Sequence, residues 1–519
     1  MRAARTVAGA AAGIAVVTAA ARVAGFGRVV VLTRTLGTGC VGDAYQSANQ
    51  LPNVVFEVVA GGALASLVVP LVAGAVASGD REQVSRTASA LLTWTVLVLT
   101  PVTLLGLLVA PALLRAAAGA APACGPDLLA TGTRMLRVFL PQVVLYGVGI
   151  VVAGVLQAHR RFLGPALAPL LSSFVVMASY LAYAAQGRVE LADLGTAREL
   201  TLSVGTTLGV AVLSLSLLVP LRRCGLVLRP TLRFPAGVAT RARALAGAGV
   251  AGLAAQQVAL LVALRLANSG ARGDVVVFFV VTAVFVLPAA VLAVPLATSA
   301  FPVLAAHHAG GDERGYAEVV GSALRGVLVL MLGATAVLAV VARPAAAVLG
   351  LGAPGADRVD ALRDATLAFA PGLLGFGLLA LVGRALYARG DGRTPAAATV
   401  VGWLAVAIVD VVAAQLDVPR VVALGIGNSV GLSLAGVLLV VGLRRVTALP
   451  GAGRTMLAGL GAAAVVSAVG LALPVPAAGS VPGALLEAVL LAAIAGAGYM
   501  GVVRLLDPSG LRVLRVGGS

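Results

Sequence analysis

Arg22 and Arg28 stand in an apolar stretch, Val7 to Leu36, with no further charge until Arg34. A charged side chain near the centre of a bilayer costs about 2.5–3.5 kcal/mol on insertion scales. It is retained where it faces a water-filled cavity and meets a partner. Six residues of helix separate the two arginines by about 9 Å along the axis and about 120° around it. Both can therefore border one broad cavity, and Gly25 and Gly27 between them allow bending. The next apolar run contributes Asp43, Pro52-Asn53 and Glu57. Asp43 can pair with Arg28 or Arg34, or cap its own helix; Glu57 can pair with Arg22. Guanidinium groups bind phosphate oxygens bidentately and stay charged at physiological pH. Cations and carboxylates placed inside a bundle suit an anionic, amphiphilic cargo.

The elements that carry these residues follow from composition. The 519 residues are 60% hydrophobic and only 11% charged, against about 25% charged in soluble domains. Apolar runs of membrane-spanning length recur from end to end, whereas a transmembrane barrel would show alternating segments of about ten residues. The reading is an all-α polytopic membrane protein with about fourteen spans, from 7–35 and 43–77 to 455–474 and 484–505. Every basic residue apart from three histidines is arginine, and the net charge is +17. Loop arginines account for this charge under the positive-inside rule, and the aromatic interleaving of a nucleic-acid surface is missing. The first span, after Arg2 and Arg5, reads as a retained helix rather than a cleaved signal.

Arginine-rich loops alternate with arginine-poor ones, which places both termini in the cytoplasm. An internal repeat organises the chain. Leu64–Leu92 matches Leu296–Leu324 at an offset of 232, with Pro70 on Pro302 and Gly79-Asp80 on Gly311-Asp312. Phe139 and Pro141 match Phe369 and Pro371 at an offset of 230. An offset spanning six helices implies parallel repeats with cargo between them. The expected organisation is a six-helix lobe at 1–221, a basic cytoplasmic linker at 222–243, a second six-helix lobe at 244–445, and a two-helix hairpin with a short tail at 446–519. The linker reads either as a plain loop or as an amphipathic helix on anionic headgroups. Pro52, Gly61-Gly62 and Pro288, the last in a span shared with Pro295 and Pro302, mark bends or gates.

The segments Arg22-Val-Ala-Gly25-Phe26-Gly-Arg28, Gly42-Asp43-Ala44-Tyr45, Leu51-Pro52-Asn53 and Gly62-Ala63-Leu64 resemble the MurJ/MviN family of lipid II flippases, in the wider MOP exporter superfamily. The resemblance extends along essentially the whole chain. It implies two six-helix repeats with two additional helices in the bacterial cytoplasmic membrane, and inversion of the undecaprenyl-linked peptidoglycan precursor. Arg22, Arg28 and Asp43 match essential family residues, the arginines at the place of those thought to meet the diphosphate. Some members bind Na⁺ between spans seven, eleven and twelve; Asp410 and Asn428 would be the remnant of that site. Implied partners are the lipid-linked saccharide diphosphate, membrane lipids and cell-wall synthesis enzymes; no cofactor and no nucleic acid is implied. The chain departs from the pattern at Phe56 and Gly61, where the family often has Arg and Glu, and at Ala283, near a lost span-eight arginine. Export of another polyprenyl-linked glycan or of drugs therefore stays open, as does a non-transporting paralogue that scaffolds cell-wall enzymes.

Catalysis has no support in the sequence, which holds no Ser/His/Asp set or P-loop. Cys40 and Cys124 fall on one side of this topology, where they either pair or serve as small apolar residues; Cys224 lies on the other side. His307-His308 reads as a solvated loop, since adjacent helical residues point apart. Cysteine labelling of the 222–243 segment is expected to fail from outside intact cells; labelling there would reverse the orientation.

Overall fold

The computed structural model describes residues 2–58, 62–234, 250–350, 358–473 and 480–508. Helices form the regular structure throughout these residues, and no strand occurs among them. Hydrocarbon offers no water to backbone groups, so each span closes its own hydrogen bonds. Two compact units divide the chain, residues 1–257 and 258–519.

In the first unit the helices are α1 (Arg2–Thr35), α2 (Cys40–Phe56), α3 (Gly62–Ala77), α4 (Arg81–Leu108) and α5 (Ala110–Ala118). They continue with α6 (Pro126–Phe139), α7 (Gln142–Ala158), α8 (Leu163–Ala185), α9 (Thr196–Leu215) and α10 (Leu218–Arg222). α7 is central: it packs on α3, α4 and α9, and α1 lies along α8. Val68 and Val72 of α3, Val84 and Leu91 of α4, and Val151 and Val155 of α7 form one buried cluster. Cys40, at the start of α2, and Cys124, just before α6, form a disulfide.

α11 (Val250–Asn268) carries the boundary between the units. The second unit continues with α12 (Asp274–Pro288), a π-helical turn (Ala289–Ala293), α13 (Val294–Ala309) and α14 (Glu313–Gly350). Then come α15 (Val359–Phe369), α16 (Gly372–Ala388), α17 (Arg393–Ala413) and α18 (Arg420–Arg444). The hairpin of α19 (Ala452–Ala472) and α20 (Val481–Leu506) packs on α14. Its open end is tied where Thr455 Oγ1 donates to the buried Asp507 carboxylate at 2.6 Å.

The Gly-Asp pairs read from sequence have one local structure. Gly79 and Gly311 adopt φ of 74° and 72°, a left-handed conformation open to glycine without Cβ strain. Asp80 then accepts the Gln83 N–H, and Asp312 the Gly315 N–H, each at 2.9 Å. This is N-capping of α4 and α14. That bond and the His307 ring hold the Asp312 carboxyl below its ordinary range.

Among the described residues twelve helices are long and apolar enough to cross a membrane. The pair α15–α16, bent by 46°, makes thirteen if taken as one span. The expected span 43–77 comprises α2 and α3, and its middle, with Gly61, falls outside the described residues. The described part of the linker is extended over residues 226–234, not an amphipathic helix. Pro230 has no N–H to give a helix, and it disfavours helical backbone at Leu228–Arg229.

The disulfide closes 84 residues of chain. Loop-closure entropy values such a link at about 4–5 kcal/mol in a soluble chain; inserted helices already restrain the unfolded state, so the observed loss is expected to be smaller. Reductant or Cys40→Ser should lower the thermal midpoint by the same amount, and Cys224→Ser should leave it unchanged. A midpoint indifferent to reductant would rule the link out as a stabilising element.

Candidate functional site

α1 runs as one helix through Gly25, Phe26 and Gly27. Arg22 and Arg28 are both exposed. Neither guanidinium has a hydrogen bond or ion pair among the described residues. The first unit also gathers buried hydroxyls from α2, α8 and α9. Tyr45, on α2, is fully buried, with its hydroxyl 2.9 Å from Tyr180 of α8 and 2.7 Å from Thr206 of α9. Thr206 also donates to the Leu202 carbonyl of its own helix. Phe139 stands edge-on to Tyr45, with centroids 5.8 Å apart. The three hydroxyls satisfy one another in a site where an unpaired one would cost about 1–3 kcal/mol.

Asp43 is buried in the first turn of α2, where its N–H donates to the Gly39 carbonyl at 3.0 Å. Its Oδ2 lies 4.0 Å from Cys124 Sγ. Carboxylate and disulfide thus share one end of α2. Pro52 is buried inside α2 and does not break it. The backbone loosens after it, at Glu57–Val58, which form a π turn. Glu57 is half-buried there, with no hydrogen bond or ion pair among the described residues, so an Arg22–Glu57 pair is not formed. Gly62 opens α3.

Phe56 occupies the place where the family often has arginine. It packs with Leu99 and Val143 in a buried cluster, its ring 5.5 Å from that of Tyr146. An arginine there would lie among apolar side chains.

In the second unit Pro288 ends α12 against the π turn Ala289–Ala293. Pro288 and Pro295 each withdraw a donor and press on a carbonyl four residues earlier, and the wider turn between them absorbs the mismatch. Asp410 of α17 is 1% exposed, and neither carboxylate oxygen has a hydrogen-bond partner among the described residues. It faces α18 at Gly427, where an added Cβ would fall 1.8 Å from Asp410 Oδ1. Asn428 has an unpartnered amide nitrogen, but it faces α16, 3.1 Å from where a Gly372 Cβ would stand. The two residues therefore lie on different seams of α18. No group of three or more His, Cys, Asp or Glu suited to a metal occurs among the described residues.

Other charged groups are engaged locally. Arg134 donates to the buried Glu199 at 2.9 Å, and Arg358 pairs with the buried Asp274. Arg384 donates to the Ala380 carbonyl of its own helix at 2.7 Å. His307 and His308 point to different carboxylates, Asp312 at 2.8 Å and Glu313 at 3.4 Å. Sequence reasoning quoted Tyr45 without a role and passed over Tyr180 and Thr206. Buried hydroxyls within apolar helices were the available signal.

The family model for lipid II flippase MurJ matches residues 32–488. A probable lipid II flippase MurJ of Vibrio cholerae is 26% identical over 396 residues, 74% of this chain and 73% of that protein. The lipid II flippase MurJ of Burkholderia cenocepacia is 26% identical over 431 residues, 82% and 81% of the two chains. Among solved structures, a lipid II flippase MurJ in an inward closed conformation superposes with a TM-score of 0.75 at 15% identity, covering 95% of this chain and 98% of that one. An inward-facing multidrug transporter of the MATE family follows the same fold, with a TM-score of 0.67 at 16% identity and coverage of 82% and 94%. By the match to its family model, the chain belongs to the lipid II flippase MurJ family.

Proposed function

We propose that this chain moves the undecaprenyl-diphosphate-linked peptidoglycan precursor, lipid II, from the inner to the outer leaflet of the bacterial cytoplasmic membrane by alternating access. The observation that carries the reading is the pair Arg22 and Arg28, two guanidiniums without a carboxylate partner among the described residues, on a helix otherwise apolar through its span. A diphosphate supplies the acceptors they lack, through charge-assisted bidentate bonds. The hydroxyl cluster ties α2, α8 and α9 together, and α1, which carries both arginines, packs along α8. Asp43 and the half-buried Glu57 are the acidic members of the same set, and Glu57, with no hydrogen bond or ion pair among the described residues, is available to engage an arginine when cargo leaves. The loosened backbone at Glu57–Val58 and Ala289–Ala293, with Pro52, Gly62 and Pro288 beside it, supports bending at those points during transport. Both termini lie in the cytoplasm, on the arginine distribution. The repeat lobes at 1–221 and 244–445 draw support from the matched Gly-Asp caps at Asp80 and Asp312. Cell-wall synthesis enzymes are the natural neighbours of such a transporter.

Asp410 is the residue suited to a coupling cation such as Na⁺: a buried carboxylate with both oxygens free of partners among the described residues. Asn428 joins it only if its carboxamide turns over to present oxygen, since it stands on the neighbouring seam. The packing of Phe56 in place of a family arginine favours a second reading, transport of another polyprenyl-linked glycan, because it leaves the first unit less cationic.

Complementation separates these readings. With the native lipid II flippase of a bacterial host depleted, the wild-type chain is expected to restore growth and outer-leaflet lipid II. Arg22→Ala and Arg28→Ala should each lower transport about 10–100-fold, the value of a lost hydrogen bond to a charged group. Failure of a well-inserted wild type moves the cargo to another glycan lipid, and a fully active Arg22→Ala removes the diphosphate role. Asp410→Asn is expected to abolish any dependence of transport on Na⁺; unchanged transport in both Asp410→Ala and Na⁺-free medium would end the cation proposal.

A further inference from the structure

After α10 the chain runs extended over residues 226–234 along the first half of α4. The backbone N–H groups of Val227, Arg229 and Thr231 donate to Ser85 Oγ, Ser89 Oγ and Thr93 Oγ1 at 3.2, 3.0 and 3.1 Å. Trp94 Nε1 closes the ladder on the Leu232 carbonyl at 3.0 Å. The match is metric: four residues of helix rise about 6 Å, and two of extended chain about 6.6 Å. Every second strap residue therefore meets every fourth helix residue, and the strap sorts its side chains by parity.

Odd positions face a cavity of about 730 Å³ lined by Arg229 and Arg233 with Arg81, Arg86 and Glu82 of α4. Four guanidiniums against one carboxylate leave an excess of three positive charges. Glu82 is already held by Arg86, and the guanidiniums of Arg81, Arg229 and Arg233 have no partner among the described residues. Leu228 and Pro230 line a second cavity of about 500 Å³ with Leu92, Val96 and Leu97, while Phe234, at the strap's end, returns to the first. The two cavities share Ser89 and Arg229. α4 itself passes from a charged first turn to an apolar run at Trp94, the residue type that marks the membrane–water boundary. The basic cavity thus stands at the wet end and the apolar one on the hydrocarbon side.

We propose that the strap and α4 hold one anionic phospholipid. Its phosphodiester sits among Arg81, Arg229 and Arg233, and an acyl chain lies along Leu97 and Leu228. A soluble phosphate would fill the first cavity and leave the second without an occupant; a zwitterionic lipid would leave the excess charge uncompensated. This site is separate from Arg22 and Arg28 and does not depend on which cargo they bind.

The test uses the full-length protein, purified and delipidated in neutral detergent, with bound lipid counted by native mass spectrometry. Dioleoyl-phosphatidylglycerol is expected to be retained at least tenfold more tightly than dioleoyl-phosphatidylcholine. Arg229→Gln with Arg233→Gln should weaken the anionic lipid roughly thirtyfold, at about fivefold per arginine near a charged surface, and leave the zwitterionic one unchanged. Leu228→Asn should weaken the lipid without affecting glycerol 3-phosphate. If the double variant fails to fold, Arg233→Gln alone, at an exposed position, reads the same contact with a fivefold loss. Retention by the arginine variants equal to wild type overturns the proposal. So does glycerol 3-phosphate displacing phosphatidylglycerol at equal concentration, which would make the site one for phosphate alone.

Discussion

Inside hydrocarbon a backbone group that leaves its helix has nothing to turn to, and this constraint sets the value of every irregularity in the chain. The described spans are mostly long uninterrupted helices, so the exceptions stand out. They include the π turns at Glu57–Val58 and Ala289–Ala293, the turn at Leu140–Pro141 between α6 and α7, and the 46° bend between α15 and α16. A π turn keeps backbone groups bonded while widening the helix, which makes it a permissible place to bend. The first begins 232 residues before the second, the same offset that relates Gly79-Asp80 to Gly311-Asp312. The two are reached through different prolines, Pro52 five residues before one and Pro288 immediately before the other. The position of the loosening is shared; the residue that causes it is not.

The same low-dielectric surroundings sort the charges. Where structure alone is served, the charge is answered within the protein: Glu199 by Arg134, Asp274 by Arg358, Asp507 by Thr455. Breaking a buried pair of this kind costs several kcal/mol because a charge is left behind. Arg22, Arg28, Glu57 and Asp410 are different, since no hydrogen bond or ion pair answers them among the described residues. Buried Glu199, Asp274 and Asp507 are answered within the fold, whereas buried Asp410, half-buried Glu57 and the exposed Arg22 and Arg28 are left for something that comes and goes. That is what transport requires, because a guanidinium permanently bonded to a carboxylate has no affinity to offer a phosphate.

Such residues were legible in the sequence for the reason that makes them costly: a charge in an apolar run is conspicuous. The helical class and the recurring Gly-Asp turn were legible too, because composition and local backbone chemistry decide them. What escaped was assembled across distance. Tyr45, Tyr180 and Thr206 come from three helices, 135 and 161 residues from the first, and no spacing within one helix announces their meeting. Asp410 and Asn428 are both polar in neighbouring spans, but that Asp410 faces Gly427 while Asn428 Nδ2 faces Gly372 of α16 could not be read from spacing. The pairing of Cys40 with Cys124 was likewise undecided, since sharing one side of a membrane does not bring two sulfurs together.

The α17–α18 seam shows how close packing and chemistry become one requirement. Gly427, Gly431 and Ala435 recur every four residues on α18 and meet Asp410, Val406 and Gly402 of the antiparallel α17. Helices in lipid gain no hydrophobic drive from meeting, so small residues that admit close backbone contact supply the attraction instead. A Cβ on Gly431 would fall 2.6 Å from both the Gly402 carbonyl oxygen and the Val406 nitrogen, so nothing larger than glycine fits without separating the helices. At the end of this row the volume vacated by Gly427 is taken by the Asp410 carboxylate. The glycine row thus lets the helices approach closely and, at Gly427, leaves the room that the buried Asp410 carboxylate takes.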